Sequence, residues 1–520
     1  MDDWFLFPME SAGPPPLRPY QIQGVNRIDS ELGVASRCLC ISATGTGKTE
    51  MFSRLAEMWL PKAGVLIIAP RDILVSQTAT RVRGRGIDVG IEQGYSRGNP
   101  TGCTVASYQS IIRNGRWRQY LGKVRLTIVD EVHDNFSKKS MEVLSELAEH
   151  GSKLVGFTAS PNRMRGDPLT SFYGKVAFQY DLRDAIRDAW LTPIKLWLTV
   201  AREWDFSKFG EGIADFDVNE LDAILRKEES VQMVASLILS HYDNCCSVAF
   251  CHSIRQAEAV KEVLARQGVT ASIIHSEMDK PDRDQNMADF VSGKNKICLN
   301  VQVLTMGFDH APIQKLFLCK PTKSIPRYIQ QLGRGVRALA GVLDGLSFTH
   351  QRRDAIANSA KSCCEVFDIT DASRHCQLIT ALDVLAGPDV PANIVKRAKK
   401  AAEGGAAPVE PDAALEQAAA EEAREQQARE HLEKERRREL IIGVTFSSYS
   451  RDPFAEAEVQ EKPKRRGWHM KWGKFKGQPV ADMDTEYLRK FYNFFLPKTK
   501  DRAFMAGILN ELNRRKRPAV

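Results

Sequence analysis

The stretch "CLCISATGTGKTEMF" (38–52) crowds two glycines, three threonines and a lysine into one bend between an apolar run and a helix-forming run. Residues 38–41 read as a short buried strand and residues 51–58 have helical spacing, so the bend lies at a helix N-terminus, where backbone N–H groups point outward without intrahelical partners. Backbone freedom, unpaired N–H groups and a cation at one turn suit a polyphosphate. Thr44, Gly45, Thr46 and Gly47 are then the cradle, Lys48 reaches the β- and γ-phosphate oxygens, and the Thr49 hydroxyl ligates Mg2+. This is a P-loop, with Ser42 where the loose consensus begins with glycine.

Two further clusters say what is done with the nucleotide. In "LTIVDEVHD" (126–134) an apolar strand ends in Asp130 and Glu131, one carboxylate for the Mg2+ and one to orient and deprotonate an attacking water. In "YIQQLGRGVR" (328–337), Arg334 and Arg337 are spaced i,i+3 and share a helix face if the segment is helical. Two guanidiniums in a different part of the chain from the P-loop would supply the charge that γ-phosphate transfer needs and would make closure a condition of hydrolysis.

Elements must position these groups. Short β-rich runs at 38–41, 65–69, 104–107, 126–129 and 154–157 alternate with helical patterns, and a second series follows at 247–250, 271–274, 297–300, 316–318 and 366–369. That rhythm predicts an α/β protein with two parallel sheets flanked by helices. Beyond about residue 386 the composition turns to Ala, Glu, Arg and Gln, as in "LEQAAAEEAREQQAREHLEKERRREL" (415–440), which reads as a solvated helical linker; its apolar positions are mostly alanine and sustain no coiled-coil stripe.

The net charge of +8 is unevenly spread: residues 461–520 hold 16 Lys and Arg against 6 Asp and Glu, so everything upstream sums to about −2. In that last block the cations interleave with Trp468, Trp472, Phe475, Tyr487 and Phe491, a combination that favours nucleic acid; the alternative is that the aromatics form the core of a very small domain. The block also resembles the small GKYKG-type domain appended to some exonucleases and phage proteins. No nuclease is expected, because "DMDTE" (482–486) lacks an accompanying PD…(D/E)xK arrangement. Among the 11 cysteines no CxxC pair suggests zinc, and Cys363, Cys364, His375 and Cys376 read as ordinary residues, not metal ligands. The acidic "MDDWFLFPME" opening is unlike a signal peptide, no run approaches a membrane span, and the expected location is the cytoplasm, in a bacterial host cell.

In order the chain shows "LRPYQ" (17–21), "SATGTGKT" (42–49), "APRDIL" (69–74), "ASYQS" (106–110), "DEVH" (130–133), "FTASPNR" (157–163), "FCHS" (250–253), "NVQVLTMGFDHAP" (300–312) and "QQLGRGVR" (330–337). Over residues 14–385 this resembles a superfamily 2 helicase of the DEXH branch, which includes excision-repair helicases, phage UvsW-like helicases and restriction-enzyme motor subunits. The resemblance implies two tandem RecA-like domains, at 14–195 and 225–385, followed by the helical linker at 386–460 and the small basic C-terminal domain at 461–520. It further implies that Gln21 reads the adenine edge beside Arg18, and that Thr158, Ser160 and Gln330 couple hydrolysis to domain motion. Gly307 and Asp309 would contact the ribose region of the nucleotide. The nucleic-acid track would be lined by Pro70, Arg71, Ser107, Tyr108 and Gln109 in the first domain and by His252, Ser253 and Thr305 in the second. The implied activity is ATP-dependent movement on, and unwinding of, single-stranded or branched DNA, 3′→5′, in phage or prophage replication, recombination or repair. Proteins of those processes are candidate partners. "YDLRDAIRDAWLTP" (180–193), between the halves, resembles the restriction and excision-repair side and tilts the substrate to DNA. An RNA helicase, or a duplex-DNA translocase that serves a nuclease without unwinding, are the other readings.

Overall fold

The computed structural model describes residues 16–134, 136–159, 168–204, 206, 209, 216–303, 310–371, 378–387 and 389–449, and in the last segment 480, 483, 485–488, 491, 508, 509 and 512. Ser160, Thr305, Gly307, Asp309, His375, Cys376, Trp468, Trp472 and Phe475 lie outside the described residues. The chain divides into two compact units, 1–430 and 431–520.

The first unit is built on two sheets whose strands all pair in parallel. Strands β1 (Arg37–Ser42), β2 (Gly64–Ala69), β3 (Val89–Glu92), β4 (Cys103–Ser107), β5 (Val124–Val129), β6 (Lys153–Thr158) and β7 (Val176–Tyr180) form one, in the order β3-β4-β2-β5-β6-β1-β7. Strands β8 (Ile194–Ala201), β9 (Ser247–Phe250), β10 (Ala271–His275), β11 (Ile297–Val301), β12 (Lys315–Leu318) and β13 (Cys364–Asp371) form the other, in the order β10-β11-β9-β12-β13-β8. Two such sheets, each flanked by helices, are two RecA-like domains in tandem. The apolar runs follow from burial on both faces: in β1, Cys38 and Cys40 enter one core while Leu39 and Ile41 enter the other, and Val65/Ile67 and Leu66/Ile68 divide likewise in β2. Each of the leucine, isoleucine and valine side chains contributes about 1.5–3 kcal/mol by leaving water.

One core spans both sheets, taking in Tyr20, Tyr180, Trp190 and Leu191 together with Leu316, Leu332 and Val336. The crossing segment is pinned at several points. Thr192 N donates to the Val336 carbonyl (2.7 Å), Leu191 forms a bridge with Arg337, and the buried Arg352 donates through Nε and Nη2 to the Asp188 carbonyl (3.1 and 2.9 Å).

The expected linker at 386–460 is not solvated throughout. Val409 exchanges backbone bonds with Leu196 at 2.8 and 2.9 Å, and Gly404 N donates to Leu198, so this segment covers the exposed edge of β8. Leu415 and Ala418, at the start of the 39-residue helix Pro411–Tyr449, are buried, and Arg397 clamps Glu422 and Glu425 at 2.9 and 2.7 Å. Small alanines allow the close approach that the composition alone presents as a featureless polar helix. No helix among the described residues is long and apolar enough to cross a membrane. The ten described cysteines are free thiols.

In the second unit Val480, Met483, Leu488, Phe491, Ile508 and Leu512 form an apolar cluster, with Tyr487 packed against it. Phe491 is only 6% exposed, so of the aromatics read as stacking surface this one serves as core.

Candidate active site

The turn between β1 and the helix Lys48–Trp59 owes its shape to two glycines in the left-handed region, Gly45 (φ +88°) and Gly47 (φ +76°), where a side chain is strained. Ser42, the departure from the glycine consensus, contributes to the turn: its Oγ bonds Thr46 Oγ1 at 2.7 Å, and that hydroxyl donates to the Ala43 carbonyl. The "LRPYQ" segment grips the same point from outside. Tyr20 OH and Gln21 Nε2 both donate to the Thr46 carbonyl (2.7 and 2.8 Å), while Gln21 Oε1 accepts from Arg18 N at 2.8 Å. A Cβ on Gly47 would stand 2.5 Å from Gln21 Nε2. Gly47→Ala therefore combines a strained φ with a clash, a cost on the order of 1–3 kcal/mol, and is expected to weaken ATP binding roughly tenfold or more. Titration with a fluorescent ATP analogue, beside a melting curve to confirm folding, checks it.

Lys48 Nζ pairs with Glu131 Oε1 at 2.9 Å and reaches the Ser42 carbonyl at 3.3 Å, so strand β5 delivers its carboxylates directly under the P-loop. Glu131 itself sits at φ +44°, an uncommon conformation for a residue with a side chain and one found at functional sites. Burial, and then the charge of Glu131, push the Asp130 carboxyl up to about 7. Burial also acts to raise Glu131, but Lys48, His133 and Arg334 outweigh it and hold this carboxyl below its usual range. Asp130, its carboxyl raised beside the ionised Glu131, is left under-compensated, which fits a divalent cation held by Asp130 and the Thr49 hydroxyl, where it would neutralise charge on the phosphates. The Thr44 hydroxyl is buried with no hydrogen-bond partner among the described residues.

His133, quoted above only as part of "DEVH", turns out to be the junction of the site. Its Nδ1 lies 2.8 Å from Thr158 Oγ1 and 3.5 Å from Glu131 Oε2, and its Nε2 lies 3.3 Å from both Gln330 Nε2 and Asp134 Oδ1. The Gln330 amide and the Asp134 carboxylate thus converge on Nε2, while Thr158 and Glu131 converge on Nδ1. The two sheets thus meet through one imidazole, adjacent to Glu131.

The helix Ile325–Gly335 brings Gly333 so close to Thr44 that a Cβ there would stand 2.4 Å from the Thr44 Cβ. Arg334 is buried, with its charge acting on Glu131. The expectation that Arg334 and Arg337 share a helix face needs correction: the helix ends at Gly335, and Arg337 belongs to the bridge with Leu191. The physical reason is capture of the following backbone, Thr192 holding the Val336 carbonyl and the buried Lys361 Nζ donating to the Arg337 and Ala311 carbonyls (2.7 Å each). Burial pushes the Lys361 ammonium down to about 8. From this position the Arg337 side chain still covers the P-loop, its Cγ 3.4 Å from where a Gly45 Cβ would be.

Beside Arg18 and Gln21 lies an aromatic box absent from the sequence-derived residues. Tyr20 stacks on Tyr180 (4.2 Å between centroids), Trp190 meets Tyr20 edge-on, and the guanidiniums of Arg18 and Arg352 lie 4.8 and 3.9 Å from the Trp190 ring. The signal available was the pair Tyr180 and Trp190 in "YDLRDAIRDAWLTP" (180–193).

The residues expected along a nucleic-acid track fall at strand ends. Arg71 and Gln109 are exposed after β2 and β4, and Pro70 and Ser107 are buried beside them. Ser107 Oγ donates to Ser110 Oγ at 3.0 Å, and the half-buried Tyr108 bonds Ser137 and Ser140 through its hydroxyl. After β9, His252 is buried with Nε2 2.9 Å from the Val218 carbonyl, and Ser253 caps the helix Ile254–Arg266 by accepting from Gln256 N.

Residues 15–163 match the family model described as "Type III restriction enzyme, res subunit", and residues 229–339 match "Helicase conserved C-terminal domain". The chain is 25% identical over 344 residues to IRC3 of Saccharomyces cerevisiae, which bears an ATP-dependent helicase name, covering 62% of this chain and 50% of that protein. It is 24% identical over 372 residues to the type I restriction enzyme EcoAI endonuclease subunit of Escherichia coli, covering 62% and 44%. The fragment structure of a type I restriction enzyme HsdR subunit from Vibrio vulnificus superposes with a TM-score of 0.51 at 20% identity, over 71% of this chain and 65% of that one, and so shares the fold. The chain spans about half the length of the curated relatives it matches. Residues 15–163 and 229–339 thus carry the paired motor domains of superfamily 2 helicases, and the relatives of this region include a restriction-enzyme subunit.

Proposed function

We propose that this protein is an ATP-dependent DNA motor, a helicase or translocase that couples hydrolysis to movement along DNA and to its unwinding. The observation that carries the reading is the composite site, in which Lys48 and Glu131 of one sheet meet Arg334 and, through His133, Gln330 of the other. ATP and Mg2+ are the expected ligands of that site. Lys48 holds the phosphates, Glu131 takes the proton of the attacking water, and Arg334 with Arg337 faces the charge that develops on the transferred phosphoryl group. Thr158 and Gln330, both tied to His133, convert the change at the γ-phosphate into motion of one domain against the other.

A strand gripped in turn by residues such as Arg71 and Gln109 on one domain and by residues after β9 on the other is stepped along as the domains open and close. Such contacts go to phosphate and sugar and carry no sequence information, so binding is sequence-independent and weakens with salt. The restriction-subunit relative favours DNA over RNA. By analogy with the family the direction is 3′→5′, in replication, recombination or repair.

Strand displacement on matched DNA and RNA duplexes with single-stranded tails tests the substrate. Separation of 3′-tailed DNA is expected. Separation of RNA alone would overturn the substrate assignment. The restriction-subunit likeness also supports a second reading, a motor on duplex DNA serving a nuclease; triplex displacement without strand separation would establish that one.

A further inference from the structure

The loop that follows β3 is built unlike an ordinary surface turn. At its base the Glu92 carboxylate is fully buried and accepts four hydrogen bonds, from Gly98 N (3.0 Å), Arg116 Nη1 (2.8 Å), Gln119 Nε2 (2.7 Å) and Tyr120 OH (3.0 Å). Arg116 Nη2 also donates to the Gly94 carbonyl at 2.7 Å, and Arg97 Nη1 folds back to within 3.4 Å of the Gly94, Tyr95 and Ser96 carbonyls. Gly98 is packed so tightly that a Cβ would stand 2.2 Å from Thr104 Cγ2. A carboxylate is costly to enclose, and this one is enclosed in order to hold a short loop in one shape. At the tip Tyr95 is fully exposed (103%), with Arg97 beside it 57% exposed. The rigid loop therefore presents an aromatic ring that contributes nothing to the protein's own core.

Its place in the sheet is informative. All strands run parallel, and β3 is the edge strand next to β4, which lies next to β2. The loops after β2, β4 and β3 therefore leave the same edge side by side, carrying Arg71, then Gln109, then Tyr95. Gln93 Nε2 donates to the Asp72 carbonyl at 3.2 Å and ties the loop directly to the Arg71 segment. An exposed aromatic flanked by cations, at the outer end of a row of residues suited to a sugar–phosphate chain, matches what a single strand requires of a stacking surface.

We propose that Tyr95 is a stacking platform for one unpaired base of a nucleic-acid strand, at the outer end of the row that begins at Arg71. The assignment rests on the nucleic-acid reading above and adds a contact to the base itself, tolerant of sequence because every base has a face.

The test uses the full chain and single-stranded oligonucleotides, with affinity measured across a salt series. Tyr95→Ala is expected to lose roughly tenfold in affinity with no change in salt slope, melting temperature or ATPase activity without nucleic acid, since the ring carries no charge and buries nothing. Tyr95→Phe should bind as the parent does. A strand with one abasic site, moved along its length, should lower the parent's affinity at one position and leave Tyr95→Ala unaffected there. Parent and Tyr95→Ala binding equally, with no abasic position distinguishing them, would overturn the platform while leaving the motor reading standing. A parent that binds no nucleic acid at all would overturn both.

Discussion

Glu131→Gln is expected to reduce ATP turnover by a factor on the order of 10^2 to 10^4 while leaving ATP binding intact. Glutamine keeps the shape of the side chain, and its amide oxygen can still accept from Lys48 where Oε1 now lies at 2.9 Å. What it loses is basicity toward water. The carboxylate is suited to the task by its surroundings: burial opposes its charge, but Lys48, His133 and Arg334 keep it ionised, while the neighbouring Asp130 is pushed the other way. Two adjacent carboxyls held apart in proton affinity can take different roles. Single-turnover hydrolysis beside nucleotide titration separates the two effects. Normal hydrolysis by Glu131→Gln would show that another group is the base.

Arg334→Ala is expected to lower kcat by about 10^3, with a much smaller change in KM for ATP. The guanidinium is buried on the second sheet's helix and its charge is felt at Glu131, yet it comes from a segment about 285 residues beyond the P-loop in sequence, so it acts only when the sheets meet. Removing a buried cation can also disturb packing, so Arg334→Lys is the needed companion. Lysine keeps the charge without the planar fork and should recover little of the rate. Recovery of most of the rate by lysine would reduce the role to simple charge balance. An equal rise in KM would place Arg334 in ground-state nucleotide binding instead.

The sequence revealed most of the fold, and its failures share a cause. The strands read from apolar runs are buried on both faces. Those missed, β3, β7 and β8, are all edge strands, where one side chain in two or three reaches solvent and the run is broken, as in the pattern of "IKLWLTVA" (194–201). The P-loop was legible because local backbone geometry demands glycine at 45 and 47 and places Lys48 at the helix start. The junction at His133 was not, since its partner Gln330 is 197 residues away and no local pattern announces the contact. The same holds for Arg352, which reaches Asp188 across 164 residues to complete the aromatic box. The helix end at Gly335 was hidden for a related reason: carbonyl capture by Thr192 and Lys361 stops the helix, and neither residue is near it in sequence.

The central claim is that the composite site hydrolyses ATP in response to nucleic acid. The most direct measurement is ATP hydrolysis by the purified protein alone and with single-stranded DNA, duplex DNA, forked DNA or RNA, with Lys48→Ala as the blank. The account predicts strong stimulation by single-stranded or forked DNA and none in the blank; hydrolysis at one rate whatever nucleic acid is added would contradict it.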